Sequence, residues 1–273
     1  MPMQTRRVSK DLTSYLRLAI VAAQQAGRLL ARYAGKPSTV RTKRSVVDLV
    51  TEIDRRAERL IRRILGQATP TFGFLGEEYG QRAQRSRYQW VVDPLDGTMN
   101  FVHGVPFFGV SIALACEQTP VIGVIYDPSR SELFTAIGGH GAWLNGKRIR
   151  VSATRRLSLS LLATGFSSRF RTRPQPYLEW FQTLERGSHS VRRLGSTALC
   201  LAYVAAGRLE GFYERDLWPW DIAAGMVLVE EAGGQVSDFR GRTVALAQGR
   251  LVASNGRIHR PLLQRLVRGR PPP

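Results

Sequence analysis

The amino-acid sequence predicts a mixed α/β protein made of helical and sheet layers. Two observations carry that expectation. Long segments place apolar residues at helical spacing, and between them lie short β-branched runs bounded by turn residues. Alternation of the two kinds excludes an all-helical bundle and an all-β sandwich.

The first element is a helix over 12–34, with Leu12, Tyr15, Leu16, Ala19, Ile20 and Ala23 on one face. Ser9 or Asp11 serves as its cap and Gly35 as its stop. Residues 37–44 are polar and basic and read as a loop. A second helix runs from about Glu52 to Leu65, with Ile53, Ala57, Leu60, Ile61 and Ile64 inward and its arginines on the other side. Strands follow at 72–75, 90–92, 107–116, 121–126 and 133–137. The glycine-rich stretch 138–146 ends in Asn145-Gly146, a type I′ hairpin signal. The second half alternates again: strand 159–164, helix 175–185, strand 190–193, helix 197–206, strand 211–213. A last predicted helix opens at Asp221 and is stopped by Gly233-Gly234.

The chain has 273 residues, enough for one large α/β domain or two joined halves, and 43% of them are hydrophobic, which supports a packed core. Residues 269–273 read as a frayed tail. Cys116 and Cys200 sit among apolar neighbours, so buried, reduced thiols are expected instead of a disulfide framework. The longest apolar run, Phe107–Cys116, is far too short to span a membrane. The N-terminal apolar stretch is broken by Asp11 and Arg17, so it reads as a helix and not as a signal sequence. A soluble, cytoplasmic protein is the expectation.

Charge is the unusual feature, with 40 Lys and Arg against 21 Asp and Glu, a net of +19. A surface so basic could bind nucleic acid through counterion release. Yet lysine occurs only at 10, 36, 43 and 147, and the arginines are spread along the chain. That distribution favours a solvated basic surface over a dedicated nucleic-acid motif.

The few acids are placed more tellingly. Glu77 and Glu78 follow a hydrophobic strand, Asp93-Pro94-Leu95-Asp96-Gly97-Thr98 ends another, and Asp54 and Asp221 stand at helix starts. In the second of these, Pro94 fixes φ, and the turn can bring two carboxylates and the Leu95 carbonyl to one side. Three oxygen donors from four residues suit a hard cation such as Mg²⁺. The helix start at Thr98 would offer N–H groups to a phosphate. Taken singly, each acid has an ordinary role as a helix cap or turn residue. Together, and in this order, they point to metal-assisted phosphoryl chemistry.

Gly76-Glu77-Glu78, Asp93-Pro-Leu-Asp96-Gly97-Thr98-Met-Asn100-Phe101 and Trp220-Asp221-Ile-Ala-Ala-Gly225 with Glu230-Glu-Ala-Gly233-Gly234 resemble the signatures of the inositol monophosphatase family. The resemblance runs over about 12–265. It implies a layered α/β/α/β/α sandwich acting as one catalytic domain over 9–268. Metal motifs would lie in 9–150 and substrate-selecting residues in 151–268. It also implies two or three Mg²⁺ ions, lithium sensitivity and a homodimer.

Carried over by position, Glu77, Asp93, the Leu95 carbonyl, Asp96 and Asp221 would be metal ligands. Asp54 and Thr98, with Glu77, would prepare the attacking water. Lys43, Gly97, Thr98, Gly195, Ser196, Thr197, Ala198, Glu214 and Asp221 would face the substrate. Met99-Asn100-Phe101 leans toward inositol-1-phosphate. Fructose-1,6-bisphosphate, histidinol phosphate and adenosine bisphosphate are the alternatives within the same chemistry. Some similar bacterial proteins serve transcription antitermination, so an RNA or RNA-polymerase partner is the alternative from another class.

Overall fold

A computed structural model describes residues 10–34, 40–42, 49–82, 86–247 and 249–268. Helix α1 (Lys10–Tyr33) is followed by strands β1 (Val40–Thr42) and β2 (Leu49–Thr51), then α2 (Glu52–Ala68). Strands β3 (Gly73–Gly76), β4 (Gly80–Arg82) and β5 (Tyr88–Asp96) lead to the short α3 (Thr98–Val102). Next come β6 (Gly109–Cys116), β7 (Thr119–Asp127), β8 (Glu132–Ile137), β9 (Ala142–Leu144) and β10 (Lys147–Ile149). The rest is β11 (Leu161–Thr164), α4 (Gln175–Gly187), β12 (Ser190–Arg192), α5 (Thr197–Ala205), β13 (Gly211–Arg215), α6 (Pro219–Glu231), β14 (Gln235–Ser237), β15 (Arg250–Ser254) and α7 (His259–Arg268).

Strands β3 to β10 form an eight-stranded sheet in the order β10-β9-β8-β7-β6-β5-β3-β4, antiparallel except where β3 meets β5. The second sheet, β12-β11-β13-β15-β14, is parallel on one side of β13 and antiparallel on the other. Three apolar cores separate the layers. Along β5, Trp90 and Val92 pack with Ala19, Ala23, Leu30, Ile53 and Ile61 of α1 and α2, while Val91 joins the core around α5 and α6. This is the two-residue alternation of a strand covered on both faces. The outer face of the second sheet carries Leu162 and Val252 against Trp180 and Leu184 of α4 and Leu262 and Leu266 of α7. The stack is therefore α/β/α/β/α, as expected.

Position in the stack explains the composition of the helices. Helices α1 and α2 present one apolar stripe and leave their arginines toward solvent, Arg62 of α2 excepted, the pattern of an outer layer. Helices α5 and α6 are apolar all round because sheets cover both sides, and Ile222 to Val229 are buried without a break. Ile222, Met226, Val227, Leu228 and Val229 each contribute about 1.5–3 kcal/mol when withdrawn from water. Close approach in this layer demands small residues. A Cβ at Gly225 would stand 2.3 Å from Leu201 of α5, and one at Gly123 of β7 would stand 2.4 Å from the Ala224 carbonyl.

Several details depart from the sequence expectation. The basic segment read as a loop contains β1, which pairs with β2. Asp221 is the third residue of α6, which opens at Pro219 behind Trp218, and Asp54 is the third residue of α2, so neither is the cap itself. Elements β14, β15 and α7 were not foreseen at all: β14 and β15 are too short for their alternation to stand out, and α7 is dense in arginine. Both cysteines are free, but only Cys200 is buried; Cys116 is half-buried and accepts from Arg87 Nε at 3.1 Å. The Asn145-Gly146 turn is borne out, with φ of 48° and 75° at its two central residues. Ser9, Gly35, Lys43 and the 269–273 tail lie outside the described residues. Among the described residues, no helix is long and apolar enough to cross a membrane.

Candidate active site

The acids meet because of how the strands run. Strands β3 and β5 are parallel neighbours, so they end at the same edge of the large sheet. Glu77, one residue past β3, donates its N–H to the Val92 carbonyl at 3.3 Å, which sets it beside Asp93. Between Asp93 and Asp96 the pairing of β5 with β6 slips by a bulge. Bulges re-aim side chains where a strand must present them. The Asp93 carboxylate accepts from the Leu95 N–H at 2.9 Å, and the Leu95 carbonyl accepts from the Thr98 hydroxyl at 3.1 Å. Gly97 makes this corner possible. Its φ is 91°, and a Cβ would stand 3.0 Å from the Phe107 carbonyl.

The central helices close the cleft from the other side. Ser111 pairs with Asp93 across β5 and β6, and its hydroxyl donates to the Trp220 carbonyl at 3.3 Å. That contact brings the start of α6 to the site, where the Asp221 carboxylate accepts from the Trp218 N–H at 2.7 Å. Trp220 stacks on Trp218 with ring centroids 5.3 Å apart. The start of α5 holds Asp96, whose carboxylate accepts from the Ser196 hydroxyl, the Ala198 N–H at 2.8 Å and the Thr197 N–H at 3.3 Å. Ser196 thus spends its hydroxyl on Asp96 and caps α5, while Thr197 donates to Glu214 at 2.9 Å. Gly165 leaves room for that glutamate, since a Cβ there would stand 2.1 Å from its carboxylate. Gly195 is exposed, with φ 87°.

Asp54, Asp93 and Asp96 are buried, and Glu77 and Asp221 are partly so. Burial and then the charges of Glu77, Asp96, Asp221 and Asp54 hold the Asp93 carboxyl well above its ordinary range. Burial raises Asp96 to about 6, against the three donors that favour its charged form. Asp221 is pushed up mainly by burial, with Glu77 and Asp96 adding repulsion. Burial likewise takes Glu214 to about 8.

Among the described residues, no three acidic, histidine or cysteine side chains already stand at the spacing of a loaded metal site. The carboxylates around Asp93 instead repel one another. The donor chemistry nevertheless fits Mg²⁺: it consists of oxygens only, and a hard dication relieves the repulsion that raises these carboxyls.

Of the predicted site residues, Asp54, Glu77, Asp93, Leu95, Asp96, Thr98, Ser196, Thr197, Ala198, Glu214 and Asp221 are joined by the bonds and charges above. Gly97 forms the corner between them, Gly195 stands exposed beside Asn100, and Lys43 lies outside the described residues. Two residues beyond that set are bonded to the same segments. Asn100 donates to the Phe107 carbonyl at 2.7 Å and the Leu194 carbonyl at 2.8 Å, tying the helix after the Asp93–Thr98 corner to the segment between β12 and Gly195. Glu58 lies one turn past Asp54 and is fully buried. Its signal in the sequence is an acid on the inward stripe of α2, between Ala57 and Ile61.

A five-layered α/β/α/β/α chain with carboxylates collected where strand ends meet helix starts defines a class, the metal-assisted phosphate-ester hydrolases of this architecture. The family model described as the inositol monophosphatase family matches residues 11–270. An inositol-1-monophosphatase of Synechocystis is 44% identical over 259 residues, covering 94% of this chain and 90% of its own length. A protein of Escherichia coli named Nus factor SuhB is 43% identical over 250 residues, covering 91% of this chain and 94% of its own. The solved inositol monophosphatase of Anabaena superposes with a TM-score of 0.87 at 40% identity, covering 95% of this chain and 97% of that one. The extragenic suppressor protein SuhB of Bartonella henselae does so with 0.89 at 42%, covering 94% and 100%. The chain belongs to the inositol monophosphatase family and is a phosphoric monoester hydrolase.

Proposed function

We propose that this protein hydrolyses a small polyol phosphate, inositol-1-phosphate foremost, in a cleft that uses Mg²⁺. The observation that carries the reading is the ring of mutually repelling, largely buried carboxylates around Asp93. Glu77, Asp93, the Leu95 carbonyl, Asp96 and Asp221 would hold two or three ions. Magnesium bound there would supply Lewis-acid stabilisation of the ester oxygens and acidify water. Asp54, in the first turn of α2, would take the proton of the attacking water, which Glu77 helps to position. The Thr98 hydroxyl, anchored to the Leu95 carbonyl, orients that water. Gly97 lets the backbone approach the phosphate, with Lys43 supplying positive charge. Glu214, steadied by Thr197, meets the polyol hydroxyls together with Gly195 and Ala198. In this reading residues 9–268 act as one catalytic unit, working in the cytoplasm as a homodimer.

The test is phosphate release from inositol-1-phosphate, fructose-1,6-bisphosphate, histidinol phosphate and adenosine bisphosphate, with Mg²⁺ and with EDTA. Chelator-sensitive preference for the inositol ester is expected, with inhibition by lithium. Preference for another ester keeps the chemistry and replaces the substrate. A folded protein that releases phosphate from none contradicts the reading.

A second reading has its own observations, the +19 charge and the name Nus factor carried by the Escherichia coli relative. It assigns the basic surface to RNA or RNA polymerase. Sequence-selective RNA binding that survives about 200 mM salt supports it. A steep loss with salt and no selectivity reduces it to general electrostatics.

A further inference from the structure

Glu58 sits in the middle of α2 with no exposed surface, where a carboxylate is tolerated only if donors surround it. Its Oε2 accepts from the Glu78 N–H at 2.6 Å, and its Oε1 accepts from the Tyr79 N–H at 3.2 Å. Arg62, one turn further along α2, donates from Nε to Oε1 at 3.1 Å and from Nη2 to the Gly80 carbonyl at 2.7 Å. The Arg62 guanidinium also lies 4.4 Å above the Phe74 ring and 5.6 Å from that of Tyr79. The turn presses directly on the buried carboxylate, since a Cβ at Gly76 would stand 2.3 Å from Oε1.

We infer that Glu58 is a positioning residue for Glu77, acting with Arg62 as a two-sided clamp on the turn between β3 and β4. The inference rests on the reading of Glu77 as a metal ligand. A β-hairpin turn closes through its own strand bonds. Here the backbone donors just after Glu77 are instead spent on a helix, and the next carbonyl is taken by the same helix. That helix bears Asp54 four residues earlier, on the same face. One rigid element thereby sets the spacing between the residue assigned to the water and the residue assigned to the metal. Residues that orient a ligand tune metal affinity without touching the ion.

The test is calorimetric titration of Mn²⁺ into the substrate-free protein and its variants Glu58→Gln, Arg62→Lys and Glu77→Gln. Glutamine keeps the shape of Glu58 but turns an amide donor toward N–H and guanidinium donors. It is expected to weaken metal binding about tenfold, and Arg62→Lys about threefold. At saturating Mg²⁺ the KM for the ester should stay at the wild-type value, while the Mg²⁺ concentration for half-maximal rate rises in step with the binding loss. A folded Glu58→Gln protein with wild-type affinity overturns the inference. If that variant does not fold, wild-type affinity in Arg62→Lys overturns it instead. Should Glu77→Gln bind metal normally, the site reading itself is wrong and the inference falls with it; weakened binding in Glu77→Gln alone leaves the site standing and removes only the clamp.

Discussion

The dipeptide Asp-Pro closes two strands of the large sheet, and the two copies meet opposite fates. Asp127-Pro128-Ser129-Arg130 ends β7, and Asp93-Pro94-Leu95-Asp96 ends β5. Both first aspartates are buried, Asp127 completely and Asp93 with 2% of its surface exposed. Asp127 is surrounded by donors: the N–H groups of Ser129 and Arg130 at 2.8 and 3.1 Å and the Arg130 guanidinium at 2.9 Å. Asp93 accepts from Leu95, and the charges that act on it most are those of other carboxylates. The residue three positions on decides the outcome. An arginine there makes a neutral structural turn. A second aspartate makes a corner whose negative charge calls for a cation from outside the chain.

The comparison can be broken most violently at Asp96. Asp96→Asn keeps the volume and most of the bonds to the start of α5 but removes a ligand charge. Turnover is expected to fall at least about a hundredfold with the circular dichroism spectrum unchanged. A variant with near-normal phosphate release would refute the assignment of this corner as the metal site.

At the other turn the same kind of change should act on stability alone. Asp127→Asn leaves two N–H groups and an arginine facing an amide, at a cost of about 1–3 kcal/mol. Because Arg130 is 39% exposed and solvent screens its charge, the lower part of that range is expected. Chemical denaturation measures the loss, and phosphate release should stay within about twofold of the wild type after correction for the folded fraction. A large loss of activity would mean that the two turns are not separate in function.

Acidity sharpens the contrast more gently. Carboxylates raised in the folded state bind protons on folding, so they favour the native chain at low pH, and that advantage is lost as pH rises. For Asp96 the window runs from 3.8 to about 6, and Glu214 extends it to about 8. His259, buried between Ser237 and Ser254, acts oppositely: burial lowers it to about 4, so it removes stability as pH falls from 6.5 toward that value. Unfolding curves should therefore be compared with and without Mg²⁺ at each pH. The stabilisation by Mg²⁺ is expected to grow from pH 5 to 8, because protons compete with the ion for the same oxygens. A gain independent of pH would place the ion away from these carboxyls.

How much was legible beforehand follows from the same physics. Helices α1 and α2 were readable because one face is wet, which gives the apolar stripe a period; α5 was readable from its uninterrupted apolar length between Thr197 and Ala206. The Asp93–Thr98 corner was readable because its donors are local in sequence. The partners of Asp96 are about a hundred residues away, so the use of Ser196, Thr197 and Ala198 to hold it could not be seen in the chain. Glu58 was hidden for a related reason: an acid on an arginine-rich helix looks like a surface ion pair until the turn after β3 is laid against it. Strands β14 and β15 escaped notice because three to five residues carry too little periodicity; β15 is held by pairing with β13, and β14 by pairing with β15.

The most direct measurement is the unfolding temperature of the wild type and of Asp93→Asn as Mg²⁺ is raised from zero. With its acids mutually repelling, the wild type should gain stability steadily with Mg²⁺. The variant, with one repelling charge removed, should start no less stable and gain little. A variant that starts clearly less stable and responds to Mg²⁺ as the wild type does would contradict the account, because Asp93 would then be a structural turn residue like Asp127.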